Sequence, residues 1–161
     1  MESAFPVEPS PSPGSGGDAI EHLRSCVRGE LAAAEAYAFA LTVDRGEPDR
    51  EQLAWCQRSH EARVHLISEH LRSLGGEAPT SPRSIGRVVG IGPRNEERRD
   101  PSLQVLEAYE NLRLRDYGRD VGCLEGNTQA FLANVVFPAQ LETHRMLQLV
   151  KRHRASATRA L

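Results

Sequence analysis

The sequence predicts an all-α protein whose helices pack as a four-helix bundle. Apolar residues recur every three or four positions over four long stretches, and turn-forming residues separate these stretches. The first and last connections between them are short, whereas the middle one is long. The chain has 161 residues, a formal net charge of -2 and 39% hydrophobic residues, which is the composition of one ordinary soluble domain with one core.

The first predicted helix follows an N-terminal segment, residues 1–17, that is rich in Pro, Ser and Gly. Such a composition buries too little apolar surface to offset the entropy of ordering, so we expect this segment to be disordered. Asp18 and Glu21 have the spacing of a capping box, which predicts that the helix begins at Asp18. The helix runs to about Asp44, because Gly46 in the following turn is typical of a helix C-terminus.

The second predicted helix begins after this short turn, at Pro48 and Asp49. It ends at Gly75 and Gly76, a pair that is typical of a helix stop. Prolines and glycines interrupt any helical period in residues 77–99, so we expect a long connection there.

The third and fourth predicted helices are separated by another short turn. Asp100 followed by Pro101 has the N-cap and first-turn chemistry that begins a helix, and this helix continues to about Leu124. Asn127 is the predicted N-cap of the fourth helix. Pro138 interrupts this last helix in its middle, because proline lacks the N–H that a helix interior requires.

The lengths of the connections predict how the four helices are arranged in space. Short links join antiparallel neighbours, whereas a long link can carry the chain along the outside of the bundle and back. The order short, long, short is that of a ferritin-like four-helix bundle with a long crossover between the second and third helices. We assign the bundle to residues 18–153 and expect the last helix to fray into a basic tail, residues 154–161.

Charge, hydropathy and cysteine content exclude several classes of function. The 20 Lys+Arg residues are balanced by 22 Asp+Glu residues, so we expect no nucleic-acid partner. No apolar run approaches the length of a bilayer span and no signal peptide is recognisable, which predicts a cytoplasmic protein with no membrane partner. The 3 cysteines have no paired spacing and are typical of buried small residues rather than disulfides.

Polar side chains occupy positions of the predicted apolar seams. Glu30 lies in the seam of the first helix, Gln57 and His60 lie in that of the second, and Glu110 lies in that of the third. Glu30, His60 and Glu110 have comparable depths along their helices, so they can meet near the middle of the bundle. Burying an unpaired carboxylate is costly, so a metal ion, protonation or hydrogen bonds must neutralise these acids.

Several segments of the chain resemble the bacterial ferritin-like proteins that are classified as domain of unknown function 2383. The resemblance spans roughly residues 20–150 and is carried by residues 28–37 (RGELAAAEAY), 59–62 (SHEA), 71–77 (LRSLGGE), 109–110 (YE) with Tyr117, and 138–144 (PAQLETH). In the wider ferritin-like superfamily, a di-iron centre takes one carboxylate from each of two helices and a Glu-x-x-His pair from each of the other two. The resemblance therefore implies that Glu30 and Glu110 are the single carboxylates and that His60 and His144 are the histidine ligands.

The chain departs from this di-iron pattern at both bridging carboxylates. Gln57 and Leu141 stand three residues before the two histidines, where the pattern has glutamate. On the fourth helix the regular stripe also places Glu142 inward and His144 on the far side, unless Pro138 or a π-bulge rotates the face. That predicted stripe consists of Leu132, Val135, Ala139, Glu142, Met146 and Leu149.

Two functions from different classes remain open at this level. The first is a degenerate or rearranged metal site of the iron or manganese type, with Glu30, His60, Glu110, His144, Glu142 and Gln57 as candidate ligands and redox handling of iron and oxygen species as its chemistry. The second is a metal-free bundle that acts as a homo-oligomer or as a partner-binding module, in which the seam residues form a hydrogen-bonded layer completed by Gln57 and Tyr117. Either way, we expect a homo-oligomer, and the sequence assigns no catalytic residue.

Overall fold

The computed structural model of the chain describes residues 15–43, 48–82 and 101–159. For residues 15, 16 and 101 it describes the backbone alone. The predictions for most of the N-terminal tail, for the first turn and for most of the crossover fall on residues outside these ranges. The described residues form helices and turns without a strand. The helices are α1 (Ser15–Val43), α2 (Arg50–Ser73), α3 (Pro101–Cys123), α4 (Gly126–Phe131), a π-helical turn (Leu132–Val136) and α5 (Phe137–Arg159).

The last three segments form one continuous helical rod, so the molecule is the predicted all-α four-helix bundle. The residues at both junctions of the π-helical turn have right-handed helical backbone angles, which keeps the rod unbroken. α1 packs on α2 and α3, and α5 packs on the same two helices. None of the described helices is both long enough and apolar enough to cross a membrane.

Every pair of adjacent helices is antiparallel. The start of α1 meets the end of α3, where Cys26 approaches Asp120, and the start of α2 meets the end of α5, where Asp49 contacts His153. Because α2 and α3 are both antiparallel to α1, α2 ends and α3 begins at opposite ends of the bundle. This geometry is what the long crossover predicted.

Two helices are longer than their sequence patterns predicted. α1 begins at Ser15, three residues before Asp18. α5 does not fray after His153 but continues to Arg159, because His153 Nδ1 lies 2.8 Å from Asp49 Oδ1 and Arg154 Nε donates to Asp49 Oδ2 at 3.3 Å. The Asp49 carboxylate thus joins α2 to α5 and makes no side-chain cap hydrogen bond to its own helix.

The predicted stop of α2 is confirmed at Gly75. The N–H groups of Gly75 and Gly76 donate to the carbonyl oxygens of Arg72 and Leu71, which closes the last turn. Gly75 has a φ of 80°, a left-handed conformation that glycine adopts without the steric cost of a Cβ atom.

The predicted apolar stripe of the fourth helix is wrong, because the π-helical turn adds one residue to the helical count. Val135 and Leu149 are exposed, and the Glu142 side chain also points to solvent. From Val136 onward, each buried position lies one residue later than predicted, as a one-residue π-bulge requires. The turn also explains why Pro138 does not end the helix, since the widened backbone relieves the missing N–H bond. The inward residues are Leu132, Val136, Gln140, Thr143, Leu147 and Val150.

Two large apolar clusters lie in the core on either side of a polar layer, and a small third cluster consists of Ala32, Ala33 and Tyr109. Cluster I lies near the start of α1 and includes Leu23, Cys26, Val27, Ile67, Leu71, Tyr117, Leu124, Leu132 and Val136. Cluster II lies near the end of α1 and includes Tyr37, Ala40, Leu41, Leu53, Cys56, Leu103, Leu106, Leu147 and Val150.

Candidate functional site: a buried ion-paired layer

The polar layer is built from six inward side chains, contributed by all four helices of the bundle. Each of the six is buried, with no more than 1% of its surface exposed. Such complete burial requires that every charge in the layer find a partner inside the protein. The six residues are Glu30 on α1, His60 and Arg63 on α2, Glu110 on α3, and Gln140 and Thr143 on α5.

His60 lies between the two carboxylates and uses both of its ring nitrogens. Its Nδ1 is 2.7 Å from Glu30 Oε2, and its Nε2 is 3.0 Å from Glu110 Oε1. A neutral imidazole has only one N–H, so the protonated ring is the form that donates to both acids. Burial by itself lowers the pKa of His60, but the charge of Glu30 and the hydrogen bonds to both carboxylates outweigh burial and raise it.

Arg63 brings a second positive charge into the layer. Its Nε donates to Glu30 Oε2 at 2.8 Å, and its Nη2 donates to Gln140 Oε1 at 3.0 Å. The same Nη2 lies 2.7 Å from His60 Nδ1. With His60 protonated, this last contact joins two donors, and the Glu30 oxygen that both of them share offsets their repulsion.

The two glutamates receive different sets of partners. Glu30 accepts from both cations and from Tyr117, whose hydroxyl donates at 2.5 Å. Burial opposes ionisation of Glu30, but Arg63 and His60 lower its pKa from 4.5 to about 2.

Glu110, by contrast, is held mainly by neutral donors. Tyr37 donates to its Oε1 at 2.6 Å, while Gln140 Nε2 at 2.5 Å and Thr143 Oγ1 at 3.2 Å donate to its Oε2. His60 is the one cation within hydrogen-bond distance of this carboxylate among the described residues. Two carboxylates, one guanidinium and one imidazolium therefore give the layer no net charge.

The layer has an approximate twofold symmetry. Tyr37 follows Glu30 by one heptad on α1, and Tyr117 follows Glu110 by the same interval on α3. Each tyrosine donates to the glutamate of the other helix. On the remaining two helices, inward pairs with a spacing of three residues face each other: residues 60 and 63 on α2, and residues 140 and 143 on α5.

The structure brings together three of the six residues that the sequence suggested as metal ligands: Glu30, His60 and Glu110. Gln57 is half-buried and lies outside the layer, where its Nε2 donates to Glu61 Oε1 at 3.0 Å. The predicted completion of the layer by Tyr117 is therefore confirmed, whereas its completion by Gln57 is wrong.

The two suggested ligands on the last helix also lie outside the layer. Glu142 is exposed, and His144 is half-buried. His144 Nδ1 has no hydrogen-bond partner among the described residues. The π-helical turn places Gln140 and Thr143 in the layer instead, because it rotates the face that follows it by one residue.

Sequence reasoning missed Arg63, since an arginine was not expected in a seam. The observed stripe of α2 runs through Cys56, His60, Arg63 and Ile67, which is as regular as the predicted stripe through Gln57 and Val64. The feature that favours the observed stripe is on α1 and α3, where Glu30 and Glu110 lie at the same depth and need cations to neutralise them.

These residues do not fit a di-iron centre. The fold pattern requires Glu-x-x-His on two helices. The inward pairs with this spacing are instead His60 with Arg63 and Gln140 with Thr143, so neither pair carries a carboxylate or ends in histidine. Both nitrogens of His60 are already committed to carboxylates. Within the described parts of the chain, no group of three or more His, Cys, Asp or Glu side chains is arranged to hold a metal ion.

Comparison with solved structures supports the ferritin-like fold. The crystal structure of a ferritin-like, diiron-carboxylate protein from Bacillus anthracis str. Ames matches with a TM-score of 0.52 and 18% sequence identity, over 93% of this chain and 99% of that chain. No protein-family model matches the sequence, and no curated protein matches it significantly. The chain is thus an all-α ferritin-like bundle, and its closer resemblance to a single family gains no support from these comparisons.

Proposed function

We propose that this protein is a metal-independent ferritin-like bundle that functions by associating with other copies of itself. The observation that carries the metal-independent part is the ion pair between Arg63 and Glu30, whose partners are both fully buried. Without this ion pair, a metal ion, protonation or further hydrogen bonds would have to neutralise the central acids.

The charge balance of the layer argues against metal binding. A divalent cation beside Glu30 would be close to the Arg63 guanidinium, which is always charged. His60 would also have to lose a proton and abandon a carboxylate in order to ligate a metal. Together, these costs favour the metal-free layer, in which Arg63 and His60 neutralise the two glutamates.

Apolar exposure on α1 supports the association part of the proposal. Phe39 is 67% exposed and Val43 is 59% exposed, and their spacing of four residues puts them on one face of the helix. Phe39 is the largest exposed apolar side chain among the described residues. An aromatic residue beside a second apolar one is a typical anchor of a protein–protein contact.

The alternative function is a rearranged iron or manganese site, with redox chemistry as its activity. Two observations favour it: Glu30 and Glu110 keep the positions of the single carboxylates, and the similar structure from Bacillus anthracis is that of a diiron-carboxylate protein. Such a site would further support the resemblance to the family of domain of unknown function 2383. It would require Arg63 to leave the layer.

Metal analysis separates these two functions. The protein is purified without chelator, and its iron, manganese and zinc contents are measured before and after incubation with each metal and removal of the excess. We expect far less than one metal per chain, and the same content in Glu30→Gln. Near-stoichiometric metal that Glu30→Gln abolishes would overturn the proposal and support the alternative.

Light scattering coupled to size-exclusion chromatography tests the association. We expect the wild-type chain to elute as an oligomer and Phe39→Asp to shift it toward the monomer. Leu149→Asp is the matched control, since Leu149 is also exposed, at 53%, but lies on α5. A monomeric wild-type protein, or equal effects of the two substitutions, would contradict association through this face of α1.

A further inference from the structure

We propose that Arg63 is the resident cation of the layer and takes over the charge-balancing role that metal ions have in di-iron bundles. This inference rests on the proposed function, because it explains how the bundle dispenses with a metal. It also goes beyond that function, because it predicts that removal of one side chain turns the layer into a divalent-cation site.

The position of Arg63 is the first argument. The inward pair of α2 is His60 and Arg63, not Gln57 and His60 as the resemblance implied. Arg63 therefore takes the second position of this pair, where the di-iron pattern has a histidine ligand. From there its guanidinium reaches Glu30 on α1 and Gln140 on α5. A positively charged side chain therefore occupies a position that carries a metal ligand in the di-iron pattern.

The charge of the layer is the second argument. Without Arg63, the two glutamates would face His60 as the one remaining cation of the layer, and Glu30 would lose a hydrogen-bonded ion pair inside the core. Uncompensated buried carboxylates are hard oxygen ligands, and together with an imidazole they suit transition metals such as Mn²⁺, Co²⁺ and Zn²⁺.

Arg113 provides a matched control because it is the other fully buried arginine among the described residues. It pairs with Asp116 at 2.5 Å on its own helix, and its guanidinium packs where a Cβ atom on Gly29 would otherwise be. Its removal empties a similar volume and also deletes a buried positive charge, but it leaves the ion pairs of the layer in place.

The test compares Arg63→Ala with Arg113→Ala and with wild type. Each protein is heated with and without an excess of Mn²⁺, Co²⁺ or Zn²⁺, and the Co²⁺ samples are examined for visible absorption. We expect both alanine variants to melt at lower temperature than wild type without metal. Metal should raise the Tm of Arg63→Ala by about 5–10 °C, as binding at about 100 times Kd does, and leave the other two unchanged. Co²⁺ absorption should appear with Arg63→Ala and vanish in the Arg63→Ala/Glu30→Gln double variant.

Arg63→Lys is the second variant, since lysine keeps the positive charge without the guanidinium fork. We expect this variant to fold, and we expect its Tm to stay the same when metal is added. If Arg63→Ala does not fold without metal, refolding from denaturant with and without Mn²⁺ replaces the melting experiment, and refolding that requires Mn²⁺ supports the proposal. Failure of every metal to stabilise or refold Arg63→Ala overturns it, as does an equal gain by Arg113→Ala. This failure is distinguishable from that of the proposed function, which is overturned by metal bound to the wild-type protein.

Discussion

The α1/α3 half of the polar layer and the α2/α5 half are built differently. α1 and α3 contribute matching residues, a glutamate followed one heptad later by a tyrosine. α2 contributes two cations, whereas α5 contributes the neutral Gln140 and Thr143 at the corresponding positions. The acids of the layer thus follow the symmetry of the bundle, and its positive charges do not.

This difference makes the two glutamates unequal. Glu30 is hydrogen-bonded to both cations, Arg63 and His60. Glu110 is hydrogen-bonded to one cation, His60, and its other partners are uncharged donors. A bundle that bound two metals symmetrically would need equivalent metal ligands on α2 and α5. The asymmetry therefore indicates a layer adapted to internal ion pairing, and it leads to four predictions.

The largest expected effect is the difference between the two glutamate-to-glutamine substitutions. Glu30→Gln leaves Arg63 buried without the carboxylate that it pairs with directly, so we expect a loss of about 3–5 kcal/mol in the free energy of unfolding. Glu110→Gln leaves a histidine that can release its proton, so we expect a loss of about 1–3 kcal/mol. Urea unfolding of both variants measures the difference, and equal losses would contradict the asymmetry.

The pH dependence of stability follows from the protonated state of His60. A group whose pKa is raised by folding stabilises the protein below its unfolded pKa, and this contribution is lost as the pH rises through the folded value. We therefore expect stability to fall between pH 6.5 and the raised pKa of His60, by at most about 1.4 kcal/mol per pH unit. Urea midpoints measured from pH 6 to pH 8 check this decline, below the range in which the buried thiols of Cys26 and Cys56, whose pKa burial raises, add a decline of their own.

His60→Gln is the control for that experiment and should abolish the decline on the alkaline side. Glu30 contributes on the acid side instead: its pKa is lowered to about 2, so its stabilisation is lost as the pH falls from about 4.5 to about 2. An alkaline decline that persists in His60→Gln would mean that another group is responsible.

The tyrosines should behave alike, because they belong to the symmetric half. Tyr37→Phe and Tyr117→Phe each remove a hydrogen bond to a buried carboxylate, so we expect a loss of about 1–2 kcal/mol for each. Chemical denaturation of the two variants in parallel checks this. A difference of more than about 1 kcal/mol between them would show that the symmetry of the contacts does not extend to their energies.

The smallest effects are expected for Gln57 and Glu142, two of the three suggested ligands that lie outside the layer. Gln57→Ala and Glu142→Ala should change the free energy of unfolding by no more than about 0.5 kcal/mol. Neither substitution should alter the metal content. A loss comparable to that of Glu30→Gln at either position would place that residue in the layer after all.

The sequence alone determined the helices, their order and part of the site. Turn residues and caps predicted the stop of α2 at Gly75. The connection lengths predicted the ferritin-like arrangement with a long crossover between α2 and α3. Glu30, His60 and Glu110 were found because a polar residue in an apolar seam is a local signal that the period of 3.6 residues reveals.

The tertiary structure decided the register of the last helix and the identity of the cation. One π-helical turn shifts every later inward position by one residue, so Gln140 and Thr143 enter the layer in place of Glu142 and His144. A periodic pattern cannot report this shift, because the pattern assumes an unbroken series of α-helical hydrogen bonds. The burial of Arg63 is favourable only when acids on other helices reach it, and such long-range charge compensation is set by packing, not by the sequence around the arginine.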